Sequence, residues 1–327
     1  MLLYTAALPN ARRVLQHSGN LHAGERVAVV TDYEKLDLGA IIAGAARVLT
    51  NEVNLLVMPP RALDGEEPPD AIAAAMRHTD LVVSLVARSI THTSAVLSAL
   101  QTGARGLMLT AFTESMLLGG GVDYDFRANR SFCQMVADLL SKANTAHLAT
   151  PAGTDLVMDL TGRLGNAHAG VVDAPGQLTT VPNVEASASP IEGSARGTLV
   201  GDASIPYYEI GLLREPVRMD IEDGRVTTIT GGPQARRIAY QMAEQNDPNV
   251  YNIAQLSFGL NPRCRMQGLM LEDEGVYGTS HIGIGTSSLL GGTVKAKMHY
   301  DVIMWSPTLT LDGEVVLRDG IWLMNAL

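Results

Sequence analysis

Short apolar runs alternate with small-residue helical segments through the first half of the chain, and this alternation restricts the fold more than any other feature. ERVAVVTD (Glu25 to Asp32) is a strand-like run ending in a turn-forming acid, and LGAIIAGAARVL follows it with helical spacing. NEVNLLVM is a second strand, stopped by Pro59 and Pro60. AIAAAMRH reads as a helix, DLVVSLV as a third strand, and SAVLSALQTGA as the helix leading into a fourth, RGLMLTA. Such alternation predicts an open, mostly parallel sheet covered by helices. Ligands of these sheets lie beyond the carboxyl ends of the strands. The turn after the first strand, TDYEKLDLGA, lacks the clustered glycines that bring backbone N–H groups to a pyrophosphate, and no G-x-x-x-x-G-K-[ST] occurs. Nucleotide binding is therefore not expected.

The texture changes near residue 150. A helix over about Arg127 to Ala146 is expected to close the first domain. Beyond it, glycine, threonine and proline punctuate short alternating segments such as TDLVMDL, VRMDIEDGRVTTITGG and KMHYDVIM. Asp223–Gly224, Asp312–Gly313 and Asp319–Gly320 are tight-turn signals, and one helix, about Pro233 to Gln245, interrupts the strands. The expected fold is α/β: an N-terminal, mostly parallel open-sheet domain over 1–149, then a β-rich α+β domain over 150–327.

Composition narrows the function classes. With 327 residues, 46% hydrophobic and 18% charged, the chain is globular and long enough for a sizeable core. A net charge of −10 repels phosphate backbones, so no nucleic-acid partner is expected. No apolar run approaches the roughly 20 residues of a membrane span. MLLYTAALPNARR does not read as a secretory signal, and Cys133 and Cys264 are too few for a disulfide framework. A cytoplasmic protein acting on a small-molecule substrate is the expectation.

The strongest local signal is KMHYDVIM. In a strand, His299 and Asp301 point to the same face, so an imidazole and a carboxylate can reach one cation. His281 sits in GTSHIGIG, among glycines that permit close backbone packing. Glu185 and Glu192 lie in PNVEASASPIEGSARG, a small and otherwise neutral stretch. Two histidines with carboxylates suit Zn, Mn, Fe or Co better than Ca. His92, in SITHTSAVL, falls where the third parallel strand ends, a substrate-facing position. Glu272, Asp273 and Glu274 read as a solvated turn, and Cys133 as core. No serine occupies a G-x-S-x-G elbow.

Taken in order, these segments resemble the aminopeptidase T-like metallo-exopeptidases and their relatives, the 2,5-dihydroxypyridine ring-cleaving dioxygenases. VPNVEASASPIEGSARGTLV resembles the P-G-G-E…P-x-E segment, IAQLSFGLNP resembles E-L-x-x-G-x-N-P, GTSHIGIG resembles G-T-x-H-I-A-x-G, and MHYD resembles the terminal H-x-D. The resemblance implies a divalent-metal site (Zn, Mn, Co or Fe(II), one ion or two) with Glu185, His281, His299 and Asp301 as ligands. It also implies a homodimer. Gln255 stands where the peptidases have a second glutamate ligand, and Ser288 where they have a tyrosine, placing Ser288 beside the substrate. Read as a hydrolase, the expectation ranked first, a metal-activated water attacks a C–N bond of a small amide or peptide, with Glu192 or Gln255 orienting it. The alternative is a mononuclear Fe(II) dioxygenase with His281, His299 and Asp301 as its facial triad. The GG at Gly291–Gly292 resembles that branch, whose other histidine falls at Gln255. A third reading is a non-catalytic scaffold that binds a small molecule.

Overall fold

The structure is a computed structural model that describes residues 2–207 and 210–323. The chain forms two compact units, Met1–Arg130 with Ala169–Pro182, and Ser131–His168 with Asn183–Leu327.

The first unit carries the expected parallel sheet. Its strands run in the order Val53–Met58, Val27–Asp32, Leu81–Leu85, Arg105–Met108 and Leu178–Thr180, all parallel. The central strands Val27–Asp32 and Leu81–Leu85 are buried along their whole length, which is why they read as largely apolar runs without alternation. Val30, Val82, Met108 and Ile90 form part of one core with Ile72, Met76 and Val96 from the helices Asp70–Met76 and Ser94–Gln101. The Thr93 hydroxyl caps the latter helix, accepting from the Val96 N–H. The fifth strand, Leu178–Thr180, comes from beyond the expected boundary at residue 150.

The second unit is β-rich, as expected. Among the described residues it holds two antiparallel sheets. One runs Arg225–Thr230, Val217–Glu222, Arg196–Gly201, Asp155–Asp159, Thr145–Ala149, Thr308–Leu311, Glu314–Arg318, Ile321–Trp322. The other runs Gly211–Leu212, Ser204–Ile205, His299–Trp305, Thr279–Gly285, Ile253–Gly259, Glu185–Ala188, Asn166–His168. The three D-G pairs turn as their chemistry requires, with positive φ at both residues of each pair (47° and 72° at Asp223–Gly224).

The boundary differs from the expected one for a packing reason. The helix Arg130–Lys142 buries Cys133, Val136, Ala137 and Leu140, and it does so within the second unit. Gly165 abuts it so closely that a Cβ there would lie 2.0 Å from the Ala137 carbonyl oxygen. The Cys133 thiol donates to the Glu185 carbonyl at 3.1 Å. The helix therefore braces a strand of the second unit instead of closing the first.

Candidate metal centre

Three neighbouring strands of the seven-stranded sheet set the site. Ile253–Gly259 and Thr279–Gly285 are buried at every position, so polar residues within them have no solvent to turn to. The pairing places Ser257 opposite His281, Gln255 opposite Gly283, Gly283 opposite Asp301, and Gly285 opposite His299. Directly opposed residues share a face of the sheet, as do residues two apart. His281, His299, Asp301, Gln255 and Ser257 therefore converge on one face. Glu185 joins them from the next strand, opposite Gly259.

The donors meet in close pairs. His281 Nε2 lies 3.1 Å from Glu185 Oε2 and 3.8 Å from Asp301 Oδ1, and His299 Nε2 lies 3.2 Å from the same Asp301 oxygen. His281 and Asp301 are buried, to 1% and 9% side-chain exposure, while Glu185 and His299 are half-buried at 13% and 22%. Gln255 Nε2 donates to Glu185 Oε1 at 3.3 Å, and Ser257 Oγ donates to Oε2 at 3.1 Å. His299 Nδ1 stands 2.9 Å from the Thr286 carbonyl, which can only accept, so Nδ1 carries a proton; Nε2 is hydrogen-bonded to Asp301, and loss of its proton would turn a lone pair toward the cluster. Gly283 makes room for that ring: a Cβ there would lie 2.6 Å from His299 Cε1 and 2.7 Å from Nε2.

The electrostatics follow from this crowding. Burial works against ionisation of Asp301, yet the charge and hydrogen bond of His299, His281 beyond it, and a hydrogen bond from Glu274 bring its pKa down to about 2. Burial likewise opposes protonation of His281 and His299, but Glu185 for the first and Asp301 for the second raise both above the ordinary histidine value. Glu185 is held below the ordinary carboxylate range despite burial, chiefly by its hydrogen bond to His281. Glu274 moves the other way: burial, then the charges of Asp301 and Glu185, push it well above the usual range. It is a neutral acid donating to Asp301, and its other contact is Asn183 Nδ2, which donates to Oε2 at 3.1 Å.

Two imidazole nitrogens and two carboxylate oxygens, linked in a chain of contacts of 3.1, 3.8 and 3.2 Å, are donors of the kind that suits a first-row divalent cation. Ligand bonds of about 2.0–2.2 Å set neighbouring donors near 3 Å apart at right angles. Among the described residues no group of three or more His, Cys, Asp or Glu side chains is spaced to hold a metal ion as it stands, so binding would require these side chains to rearrange. The facing pairs are hydrogen-bonded to one another, with protons where a cation would sit.

The remaining expected residues fall elsewhere. Glu192 is not among the donors of this cluster. Its carboxylate accepts from Arg163 Nη2 and, at 2.7 Å and 3.0 Å, from the Thr293 amide and hydroxyl. Ser288 lies in the connection between the two histidine strands, its hydroxyl 3.5 Å from that of Thr286. His92 belongs to the first unit and is exposed in the turn before the helix Ser94–Gln101. Gln255 does reach the cluster, as an amide donor to Glu185.

Two residues of the site were not expected. The Glu272–Glu274 segment is buried rather than solvated, with Asp273 accepting from the Gln267 and Gly268 amides and Glu274 facing Asp301. Its flanks, LML before and GVY after, are the only local hint that it is tucked in. His168 lies opposite Glu185 in the pairing of Asn166–His168 with Glu185–Ala188, half-buried and close enough for its charge to favour the Glu185 anion. No motif marks it.

Comparison with known proteins points to one of the two chemistries weighed from the motifs. Residues 7–324 match the family model NicX, 2,5-dihydroxypyridine 5,6-dioxygenase. A 2,5-dihydroxypyridine 5,6-dioxygenase of Pseudomonas putida KT2440 is 30% identical over 194 residues, 56% of this chain and 55% of the relative. The chain thus matches about half the length of that curated relative. The structure of 2,5-dihydroxypyridine dioxygenase from the same organism superposes with a TM-score of 0.80 at 24% identity, covering 97% of both chains. AmpT from Thermus thermophilus superposes with a TM-score of 0.69 at 14% identity, covering 98% of this chain and 99% of that one, a likeness of fold alone. These findings favour ring cleavage over the hydrolysis that the motifs ranked first, because the family model and the curated relative are both dioxygenases.

Proposed function

For this chain, which belongs to the 2,5-dihydroxypyridine 5,6-dioxygenase family, we propose a mononuclear Fe(II) enzyme that opens a hydroxylated pyridine-type ring with dioxygen. The observation that carries the reading is the convergence of His281 Nε2, His299 Nε2 and Asp301 Oδ1 on one buried face, 3.2–3.8 Å apart where they meet at Asp301. Two imidazoles and one carboxylate make the facial donor set that leaves open positions on non-haem Fe(II). When bound, the iron supplies the redox chemistry that lets dioxygen react with an electron-rich ring.

The protein's own groups do the rest. Asp301 stays ionised at any physiological pH because two imidazoles and the Glu274 hydrogen bond favour its anion. The Thr286 carbonyl fixes the tautomer and plane of His299. Glu185 brings a second negative charge, oriented by Gln255 and Ser257. With both imidazoles neutral and Glu274 protonated, Asp301 and Glu185 balance one dication. A second dication would stand uncompensated beside the neutral amide of Gln255 in buried surroundings, which is costly. The charge balance therefore supports one ion.

Anaerobic loading with Fe(II) followed by metal analysis tests the reading. The expected result is one iron per chain, with Asp301→Ala and His299→Ala each retaining little. Equal iron in wild type and both variants would sink it.

A further inference from the structure

We propose that Glu192 is a positioning residue for His299, acting through the connection that joins the two histidine strands. The inference rests on the metal reading above and names a further residue on which it depends. Residues 286–298 link Thr279–Gly285 to His299–Trp305 and contain no helix or strand. A free connection of this length would leave His299, its first residue after the loop, poorly fixed. Here it is tied down on both shoulders.

On one shoulder, Glu192 accepts from the Thr293 amide at 2.7 Å and hydroxyl at 3.0 Å, and is paired with Arg163. The same guanidinium donates to the Gly291 carbonyl at 2.5 Å, and Asn166 Nδ2 donates to the Leu290 carbonyl at 3.0 Å. The ion pair is only 13% and 29% exposed, so water competes weakly for it. On the other shoulder, the Lys297 amide donates to Asp247 at 2.9 Å and Asn249 Nδ2 donates to the Lys295 carbonyl at 3.0 Å. Between the anchors the connection closes on itself, with the Ser287 amide donating to the Val294 carbonyl and the Thr286 amide to the Met298 carbonyl. Gly292 sits so tightly that a Cβ would lie 2.3 Å from Ser287 Oγ and 2.6 Å from Ser189 Oγ. Packing thus explains the glycine at 292, and a positive φ of 96° explains the one at 291.

The inner product of this bracing is the Thr286 carbonyl, the acceptor for His299 Nδ1. Thr293 is one residue from Val294, which is bonded to Ser287, the neighbour of Thr286. A pull released at Glu192 is thus passed through two hydrogen bonds to the ring that faces the cation.

The test uses the whole protein in two readouts. With ¹⁵N-histidine labelling in the presence of chelator, the His299 Nδ1–H signal, identified by its loss in His299→Gln, reports the hydrogen bond to Thr286 directly. With Co(II) bound, its release rate to excess chelator and its visible spectrum report the ligand geometry. Glu192→Ala, and independently Arg163→Met should the first fail to fold, are expected to abolish slow exchange of the Nδ1–H signal. Both should speed Co(II) release by about 10–100-fold, the range typical of lost outer-sphere support. Glu192→Gln, which keeps the bonds to Thr293, should restore most of the wild-type behaviour. As a control, Asp312→Ala removes acceptors for the Asn144 and Thr145 amides elsewhere in the same unit. It should destabilise the fold but leave both readouts alone. Variants within about twofold of wild type, the scatter of uncoupled sites, would overturn the inference. So would a control that accelerates release equally. A wild-type protein that retains no Co(II) would remove the metal reading, while the ring signal would still judge the role of Glu192.

Discussion

Replacing Gly283 by alanine perturbs the proposed centre at its narrowest point. The new Cβ would lie 2.6 Å from His299 Cε1, 2.7 Å from its Nε2 and 2.8 Å from Gln255 Cβ. Carbon atoms rest about 3.5–4.0 Å apart, so relief requires the imidazole to retreat by roughly 1 Å. That retreat stretches the 2.9 Å bond from Nδ1 to the Thr286 carbonyl and swings Nε2 away from Asp301. A misplacement of about 1 Å in a positioned group costs on the order of 10²-fold, or about 2.7 kcal/mol at 1.36 kcal/mol per tenfold. The overpacking itself should lower stability by about 1–3 kcal/mol in chelator. Competition with a chelator for Co(II) gives the affinity, and urea unfolding gives the stability. Gly119→Ala is the matched control, because a Cβ there meets nothing within 4 Å. A Gly283→Ala protein that holds Co(II) within about threefold of wild type, about 0.7 kcal/mol at 1.36 kcal/mol per tenfold, would refute the claim that this glycine seats the His299 ring.

Two further predictions follow from the electrostatics. Glu274→Gln keeps a donor for Asp301 and an acceptor for Asn183, so it should stay within about 1 kcal/mol of wild type. Glu274→Ala strands both buried partners and should cost about 1–3 kcal/mol in urea unfolding. In chelator, His281 and His299 have raised pKa values, so their stabilisation is complete below about pH 6.5 and disappears as pH climbs through their folded values. Asp301 acts in the opposite sense, its contribution present above about pH 3.9 and lost as pH falls towards its folded value of about 2. A cation competes with the histidine protons, so Co(II) affinity should rise over the same window in which the chelator-treated protein loses stability. Melting curves with and without Co(II) from pH 5 to 9 check this, and parallel curves would contradict it.

The parts of this protein legible in its sequence are those fixed by local pattern. Largely apolar runs marked Val27–Asp32 and Leu81–Leu85, because a strand covered on both faces needs no alternation. Period-two spacing put His299 and Asp301 on one face, and the D-G pairs located their turns. What was not legible depends on packing between distant segments. The strand Leu178–Thr180 adds to a sheet whose other strands end at Met108, and nothing local says which sheet a three-residue strand joins. The acids at 272–274 look solvated because three adjacent charges usually are; their burial comes from the backbone amides of 267–268 and from Asp301. Glu192 was conspicuous as an acid in a neutral stretch, but its partners Arg163 and Thr293 lie about 30 and 100 residues away in the chain. Its role follows from those partners and not from its own surroundings.

The central claim is oxygen-dependent ring opening at a single iron, and isotope incorporation tests it most directly. Fe(II)-loaded protein should be given 2,5-dihydroxypyridine under ¹⁸O₂, with oxygen uptake followed and the product analysed by mass spectrometry. The account predicts one O₂ consumed per ring and both ¹⁸O atoms in the opened product, with neither seen for Asp301→Ala. Turnover without oxygen uptake, with the new oxygen coming from water, would contradict it and return the site to hydrolysis.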